Sequence, residues 1–378
     1  MKKVLYASML ASVACVWGTG AFAQSGAISK AVGGYTWEDA AKEAPTTKKD
    51  GKPLTFAIIT HTAGNGFFDP VYVGAQVAAN AFGINLIKLG SEAPMDDIPR
   101  EIQILNQIVN DPTINGVIMT TPQVGAYNDI VKKLEERGVV VATTNSFDGT
   151  LLDRSGISHT GQDASEAAIG GEAIVKCLVN NNIKSGSIVF PNTVGVGNIE
   201  VNNRVTAAFQ ATVKALKANN MLANFKVDAG PNNIGVDVPT IDAAPIVQLI
   251  ESRKDVVGLF GPNGGVTPAI GDAISQLKLN GKICAYGFDL GPKQLEQIKT
   301  GALMGSLGQQ PFLQGFYPVV QLYLQIDRNI AAANLDTRAQ LVTKDNVEKV
   351  GHRFGDEFPN VSLVVWIRQT QNHIVAAL

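Results

Sequence analysis

His61-Thr-Ala-Gly-Asn65-Gly-Phe67-Phe68-Asp69 sets an imidazole, an amide, two adjacent rings and a carboxylate in one short stretch. It follows the apolar run Thr55–Thr60, and the same arrangement recurs along the chain. Asn145-Ser146-Phe147-Asp148 follows Val139–Thr144, Asn192 follows Ser187–Pro191, Pro262-Asn263-Gly264 follows Val256–Gly261, and Asp289 follows Ile283–Phe288. Asn, Asp and Gly populate strand-to-helix turns for conformational reasons alone, so turn chemistry explains any one of these positions. It does not explain Phe67-Phe68, a pair of rings in a post-strand loop. Rings beside amides and a carboxylate suit a polyhydroxylated ligand. The rings cover its C–H faces, and the polar groups hydrogen-bond its hydroxyls in both directions.

Other chemistries fail on their own residues. There is no G-x-S-x-G elbow, Walker A run or H-E-x-x-H. Gly195–Gly197 lacks the third glycine of a dinucleotide loop. His61, His159, His352 and His373 show none of the paired spacing that zinc sites use, so neither metal nor cofactor is expected. Lys and Arg number 31 against 33 Asp and Glu, a formal charge of −2. Nucleic acid needs a basic stripe, and none is expected here.

The elements that hold the candidate groups follow from hydrophobic patterning. Short Val- and Ile-rich runs at Thr55–Thr60, Asn85–Leu89, Gly116–Thr120, Val139–Thr144, Ser187–Pro191, Val256–Gly261 and Ile283–Phe288 read as strands of a parallel sheet buried on both faces. Helical spacing marks Ile98–Val109, Val124–Arg137, Val201–Ala218, Ala244–Arg253, Val266–Leu279, Lys293–Thr300 and Leu313–Ile330. Asp163-Ala-Ser-Glu166 resembles a capping box opening a further helix through Leu178. This alternation predicts an α/β chain with right-handed crossovers. A length of 378 residues suggests two domains, and there are more β–α units than one small sheet needs. Two doubly wound lobes are expected, with ligands at the carboxyl ends of the strands.

The first residues read as an export signal. Lys2 and Lys3 precede a mostly apolar run, Val4–Gly18, that is too short to span a bilayer, and Ala21-Phe22-Ala23 is a small-x-small cleavage pattern. Cleavage after Ala23 is expected, with lipoprotein anchoring at Cys15 ranking second. Of the remaining cysteines, Cys177 lies in a helical pattern and Cys284 in a strand pattern. Both are expected to be buried thiols rather than a bridge.

AIITHTAGNGFFDPVYVGAQVAANAFG, GVIMTTP, the helix after GQDASEA, VGLFGPNGG, AYGFDLGP and SLGQQPFLQGFYPV together resemble successive landmarks of the periplasmic sugar-binding proteins of the ribose-binding type. These are the type I substrate-binding components of ABC importers. The match runs from about Leu54 to about Thr343. The resemblance implies two doubly wound parallel-sheet lobes joined by a three-strand hinge and closing on a ligand. It divides the chain into a signal peptide (1–23), a leader (24–52), an N-terminal lobe (53–160 plus 310–340) and a C-terminal lobe (161–309 plus 341–378). It puts Gly161-Gln162-Asp163 at the first crossing and Gln309 at the second. It implies ligand contacts from His61, Asn65, Phe67, Phe68, Asn263, Asp289 and Gln309. Arg204 matches a family arginine to within one residue.

The chain also departs from that pattern. Asn145-Ser146 stands where many pentose and hexose binders carry an Asp-Arg pair, and no ring lies near Asp237 to form a second aromatic wall. A less charged cleft and a ligand other than a common pyranose are therefore expected. Residues 348–378, with a strand-like Val361–Ile367, continue past the usual end. The resemblance implies a monomer that performs no chemistry and delivers a neutral sugar, sugar alcohol or cyclitol to an inner-membrane permease and its cytoplasmic ATPase. One alternative is a sensory protein presenting autoinducer-2 or a sugar signal to a receptor. Another is a periplasmic enzyme acting on sugars. A repressor built on such lobes begins with a helix-turn-helix, where this chain has its apolar leader.

Overall fold

β1 (Thr55–Thr60) alternates its side chains between two helical layers. Ala57 and Ile59 enter a core with Val117, Met119 and Val141 of neighbouring strands, beneath Leu105 and Ile108 of α2 (Ile98–Val109) and Ile130, Val131 and Leu134 of α3 (Asn128–Glu136). Phe56 and Ile58, equally buried, point to the other face. A strand covered on both sides has no polar position to spare, hence the unbroken run TFAIIT. The structure is a computed structural model that describes residues 52–92, 96–154, 156–193 and 197–351. The expected signal and leader through residue 51, the Gly195–Gly197 pair as a whole and the expected strand Val361–Ile367 lie outside the described residues.

Two sheets, both within the compact unit Ala44–Glu348, carry the fold. The first contains β1, β2 (Asn85–Gly90), β3 (Gly116–Met119), β4 (Val140–Thr144), β5 (Ser158–Gly161) and the short β13 (Leu335–Asp336), in the order β2-β1-β3-β4-β5-β13, all parallel. The second contains β6 (Gly186–Val189), β8 (Phe225–Asp228), β10 (Val256–Gly261), β11 (Cys284–Phe288), β12 (Gly305–Gly308) and β14 (Gln340–Thr343), in the order β8-β6-β10-β11-β12-β14. Only β14 runs antiparallel, against β12. The two orders are the same doubly wound pattern. Each has its switch point beside the first strand of its lobe, at β1 and at β6. A separate two-residue pair joins β7 (Pro191–Asn192) to β9 (Val236–Asp237).

The chain crosses between lobes three times: from β5 into α4 (Ala168–Asn180), from β12 into α9 (Pro311–Arg328), and from β13 to β14. The crossings are bonded to one another. The Thr337 N–H donates to Gly161 O at 2.8 Å, and its hydroxyl donates to Gln309 O at 2.9 Å. Glu166 does not close the capping box that Asp163 opens. Asp163 does accept from the Ser165 N–H at 2.8 Å, but Glu166 accepts from the Ala339 N–H of the third crossing instead.

Three predictions about elements need correction. α1 (Asp69–Phe82) was absent from the expected helices because it is buried nearly all round, by Val71–Gln76 and Ala78–Asn80, and so shows no single apolar stripe. It crosses α9 at Gly74 and Gly315, where a side chain on either glycine would overlap the other helix's backbone. The expected helix from Val124 begins only at Asn128. Finally, Cys177 and Cys284 are not separate thiols: they form a disulfide across a sequence separation of 107. α4 lies over β11 in one core, and that superposition brings together cysteines the sequence keeps far apart.

Candidate functional site

The loop after β1 builds one wall of a cleft. Asn65 accepts from the Phe67 N–H at 3.0 Å and so folds Gly66–Phe68 into a single 3-10 turn. That turn sets the two rings edge to face, 5.1 Å apart. Phe68 is buried and meets the His61 ring edge-on at 5.3 Å, whereas Phe67 remains half-buried. His61 is held from behind by Thr120, whose Oγ1 lies 2.9 Å from Nδ1, and its Nε2 faces Asp96 at 3.5 Å. Burial lowers the His61 pKa, and Asp96 opposes that shift. At the end of β4, Asn145 adopts φ 58° and donates to Gln314 Oε1 at 3.0 Å.

The other wall is a line of paired polar groups. Arg204, on α5 (Ile199–Ala218), donates to Gln309 Oε1 at 2.7 Å, sits 3.5 Å from Glu200, and lies 4.4 Å over the Phe288 ring. Gln309 in turn donates to Asp289 Oδ1 at 2.5 Å. Burial raises the Asp289 pKa, against Arg204, Gln309 and the Gly264 N–H, which lower it. Burial likewise pushes Glu200 up to about 7 against its arginine. Asp289 is not the cap of α8 (Pro292–Lys299): Gly291 occupies that position, and Asp289 adopts φ 72°. Asn263 accepts from the Gly265 and Val266 N–H groups at 3.0 and 2.9 Å, just ahead of α7 (Val266–Gln276), whose cap position is Gly265.

These walls enclose a cavity of about 120 Å³. One water needs roughly 10–15 Å³ on that measure, so the space takes about ten non-hydrogen atoms. His61, Asn65, Phe67, Phe68, Asn145, Ser146, Arg204, Asn263, Asp289 and Gln309 all line it. Asn192 does not. The β7–β9 pairing turns its amide to donate to Ile234 O at 2.7 Å and Asn202 Oδ1 at 3.2 Å, and the next residue, Thr193, faces the cavity.

Sequence reasoning missed Asp96, Asn198, Asn202 and Ile241, which also line the cavity. Asp96 lies in the loop after β2 but well beyond the strand's end, beside the Asp97 cap of α2, and Asn198 lies before the expected start of the Val201–Ala218 helix. Ile241 supplies an aliphatic surface on the side where no ring was found. Asp96 adds a carboxylate beside His61 that was not among the expected site residues, and Arg204 and Asp289 are joined through Gln309. The lobes also touch over the cavity. The Ile199 N–H donates to Pro122 O at 3.0 Å, and Asn198 donates to Asp96 Oδ2 at 3.2 Å.

Two lobes of one strand order, crossed three times and closed over a polar cavity, define a two-lobed binding protein. The chain belongs to the periplasmic binding protein family, whose domain matches residues 56–329. A xylose/arabinose-binding protein of Sulfolobus acidocaldarius is 24% identical over 303 residues, 77% of this chain and 71% of that one. A ribose import binding protein of Haemophilus influenzae is 24% identical over 272 residues, 70% and 83% of the two chains. Among solved structures, an ABC-transporter solute-binding protein of Burkholderia graminis in complex with D-arabinose superposes with a TM-score of 0.65. It has 22% identity and covers 79% of this chain and 98% of that one. One from Agrobacterium vitis bound with α-D-tagatopyranose gives 0.66 at 19% identity, over 80% and 99%. At these identities the structures share the fold.

Proposed function

We propose that the protein captures a neutral monosaccharide, sugar alcohol or cyclitol between its lobes in the periplasm and delivers it, chemically unchanged, to an ABC permease with its cytoplasmic ATPase. The carrying observation is the Arg204–Gln309–Asp289 line facing the Phe67 and Phe68 rings across a cavity of about 120 Å³. The arginine and aspartate offset one another, which leaves no surplus cation for a carboxylate or phosphate. Asn65, Asn145, Ser146, Asn263 and Gln309 offer donors and acceptors together, the complement of hydroxyl groups. The aromatic faces match ring or polyol C–H surfaces. The relatives named for xylose, arabinose and ribose support this reading. The apolar leader before Ala23 supports export.

Isothermal titration with D-arabinose, D-ribose, D-xylose, D-tagatose and myo-inositol tests it, alongside gluconate and glucose 6-phosphate. Micromolar or tighter binding of at least one neutral compound is expected, with the sugar recovered intact. A melting-temperature screen gives the same answer, because a ligand at 100 times its dissociation constant adds about 2.7 kcal/mol. Tight binding of the acid or the phosphate, with none of the neutral compounds, would overturn the reading.

A further inference from the structure

Glu101 lies on α2, wholly buried, and does not line the cavity. Its Oε2 accepts from the Tyr127 hydroxyl at 2.6 Å, and its Oε1 lies 3.0 Å from Thr120 Oγ1. Thr120 Oγ1 also accepts from the His61 backbone N–H at 2.8 Å and lies 2.9 Å from His61 Nδ1. A hydroxyl has one proton and two lone pairs. The backbone N–H occupies one lone pair, leaving one donor and one acceptor to divide between Glu101 and His61.

Only two patterns satisfy all the atoms. In one, Glu101 Oε1 carries a proton and donates to Thr120, and Thr120 donates to His61 Nδ1. The imidazole proton then sits on Nε2. In the other, Glu101 is a carboxylate and receives the Thr120 proton, so His61 Nδ1 must donate to Thr120. A neutral imidazole then turns a bare Nε2 lone pair toward Asp96. Tyr127 is buried and has no other acceptor among the described residues, so it donates to Oε2, and a proton on Glu101 belongs on Oε1.

We propose that Glu101 is a positioning residue that acts through the Thr120 hydroxyl to keep the His61 proton on Nε2, the ring nitrogen turned toward Asp96 and the cavity. At 3.5 Å the Asp96 carboxylate draws this N–H without saturating it. On the sugar-binding reading, on which this consequence rests, one ligand oxygen receives the His61 Nε2–H.

The charges around the relay agree with the first pattern at neutral pH. Burial is the largest influence on Glu101 and pushes its pKa up to about 8. The hydrogen bonds from Tyr127 and Thr120 pull it down, and Asp96 adds to the rise. Tyr72 of α1 also faces Glu101, and its own hydroxyl stays protonated because burial raises its pKa. Around His61 stand Asp96, Thr120 and the edge of Phe68. Glu101 therefore carries its proton below about pH 8 and loses it above. The His61 tautomer is expected to follow.

The test is a pH series of nitrogen-15 histidine spectra on the ligand-free full chain, with His61→Gln identifying the signal. Wild type should show Nε2–H at neutral pH and convert toward Nδ1–H above about pH 8. Glu101→Gln should hold Nε2–H throughout, because its amide nitrogen donates to Thr120 while its oxygen accepts from Tyr127. In parallel, wild-type affinity for D-arabinose should fall at least about fivefold between about pH 7 and about pH 9, the loss of one hydrogen bond, and stay level in the variant. Nδ1–H at neutral pH in wild type, or the same alkaline conversion in Glu101→Gln, would overturn the proposal. If the variant does not fold, the wild-type series decides alone. If D-arabinose binds neither protein, the affinity arm is run with whichever neutral compound the titrations identify; binding of none of them counts against the ligand reading, and the tautomer series still decides the role of Glu101.

Discussion

The side-chain amide of Asn198, at the head of α5 in one lobe, donates to Asp96 Oδ2 of the other lobe across 3.2 Å. Its Oδ1 meanwhile accepts from the N–H groups of Glu200 and Val201 at 3.1 and 3.3 Å. One residue thus caps a helix with its oxygen and joins the lobes with its nitrogen.

Asn198→Asp separates those two roles. The carboxylate still caps the helix, with a favourable charge at its N-terminus, but it faces Asp96 as a like charge. The expected result is an unchanged melting temperature, a larger radius of gyration without ligand, and affinity lowered at least about tenfold, the measure of a closed state lost from the population. X-ray scattering and titration calorimetry check this. An unaltered radius and affinity would show that the contact does not bias closure.

Asp289→Asn keeps the shape and tolerates the positive φ of this position, since asparagine enters the left-handed region readily. What it removes is the charge that faces Gln309 and Arg204. Charge-assisted hydrogen bonds contribute about 1.5–3 kcal/mol each, so affinity for the sugar identified by titration should drop at least about tenfold. Calorimetry at neutral pH reads the result, and equal affinity would remove Asp289 from the ligand contacts.

The two adjacent rings should respond differently to truncation. Phe68 is 2% exposed and packed against His61, so Phe68→Ala should cost about 3–5 kcal/mol of stability by leaving a cavity. Phe67 is only half-buried, so Phe67→Ala should leave the melting temperature nearly unchanged and weaken binding. Denaturant unfolding and titration on both variants separate the effects. Equal responses would mean that the rings act as one unit.

Replacing Cys177 and Cys284 together by alanine tests the bridge that links α4 to β11. Chain entropy for a loop closed across 107 residues gives about 4–5 kcal/mol as an upper figure. A lower melting temperature with unaltered sugar affinity is expected, since neither cysteine lines the cavity. Thiol titration of the denatured wild-type protein should find neither Cys177 nor Cys284 free.

The parts of the fold that were legible are those whose residues face apolar surroundings on a regular period. β1, β10 and α2 appear at their expected positions because both faces of the strands, or one stripe of the helix, are buried. β5 (SHTG) and β12 (GSLG) were not legible. Each is four residues long and largely small or polar, and is held by its neighbours rather than by its own propensity. In the cleft, residues that follow a strand could be found from the strand. Asp96 and Ile241 stand several residues beyond the ends of β2 and β9, close to the helices that follow, and they reach the cavity from loops whose course depends on the tertiary packing. Asn192 has the right position in sequence, but the short β7–β9 pair rotates it out of the cavity, and two-residue pairings leave no periodic trace.

The contact of α1 and α9 at Gly74 and Gly315 bears on how such a protein can diversify. α9 emerges directly from the second crossing, and α1 begins at the Phe67-Phe68 turn, so their side-chain-free junction joins the pivot to the cleft wall as one stiff piece. Loops at the strand ends can exchange one side chain for another without disturbing that piece. Ligand preference can therefore change in the loops while the pivot stays as it is, whereas a side chain at either glycine would force the two helices apart and carry the ring-bearing turn with them.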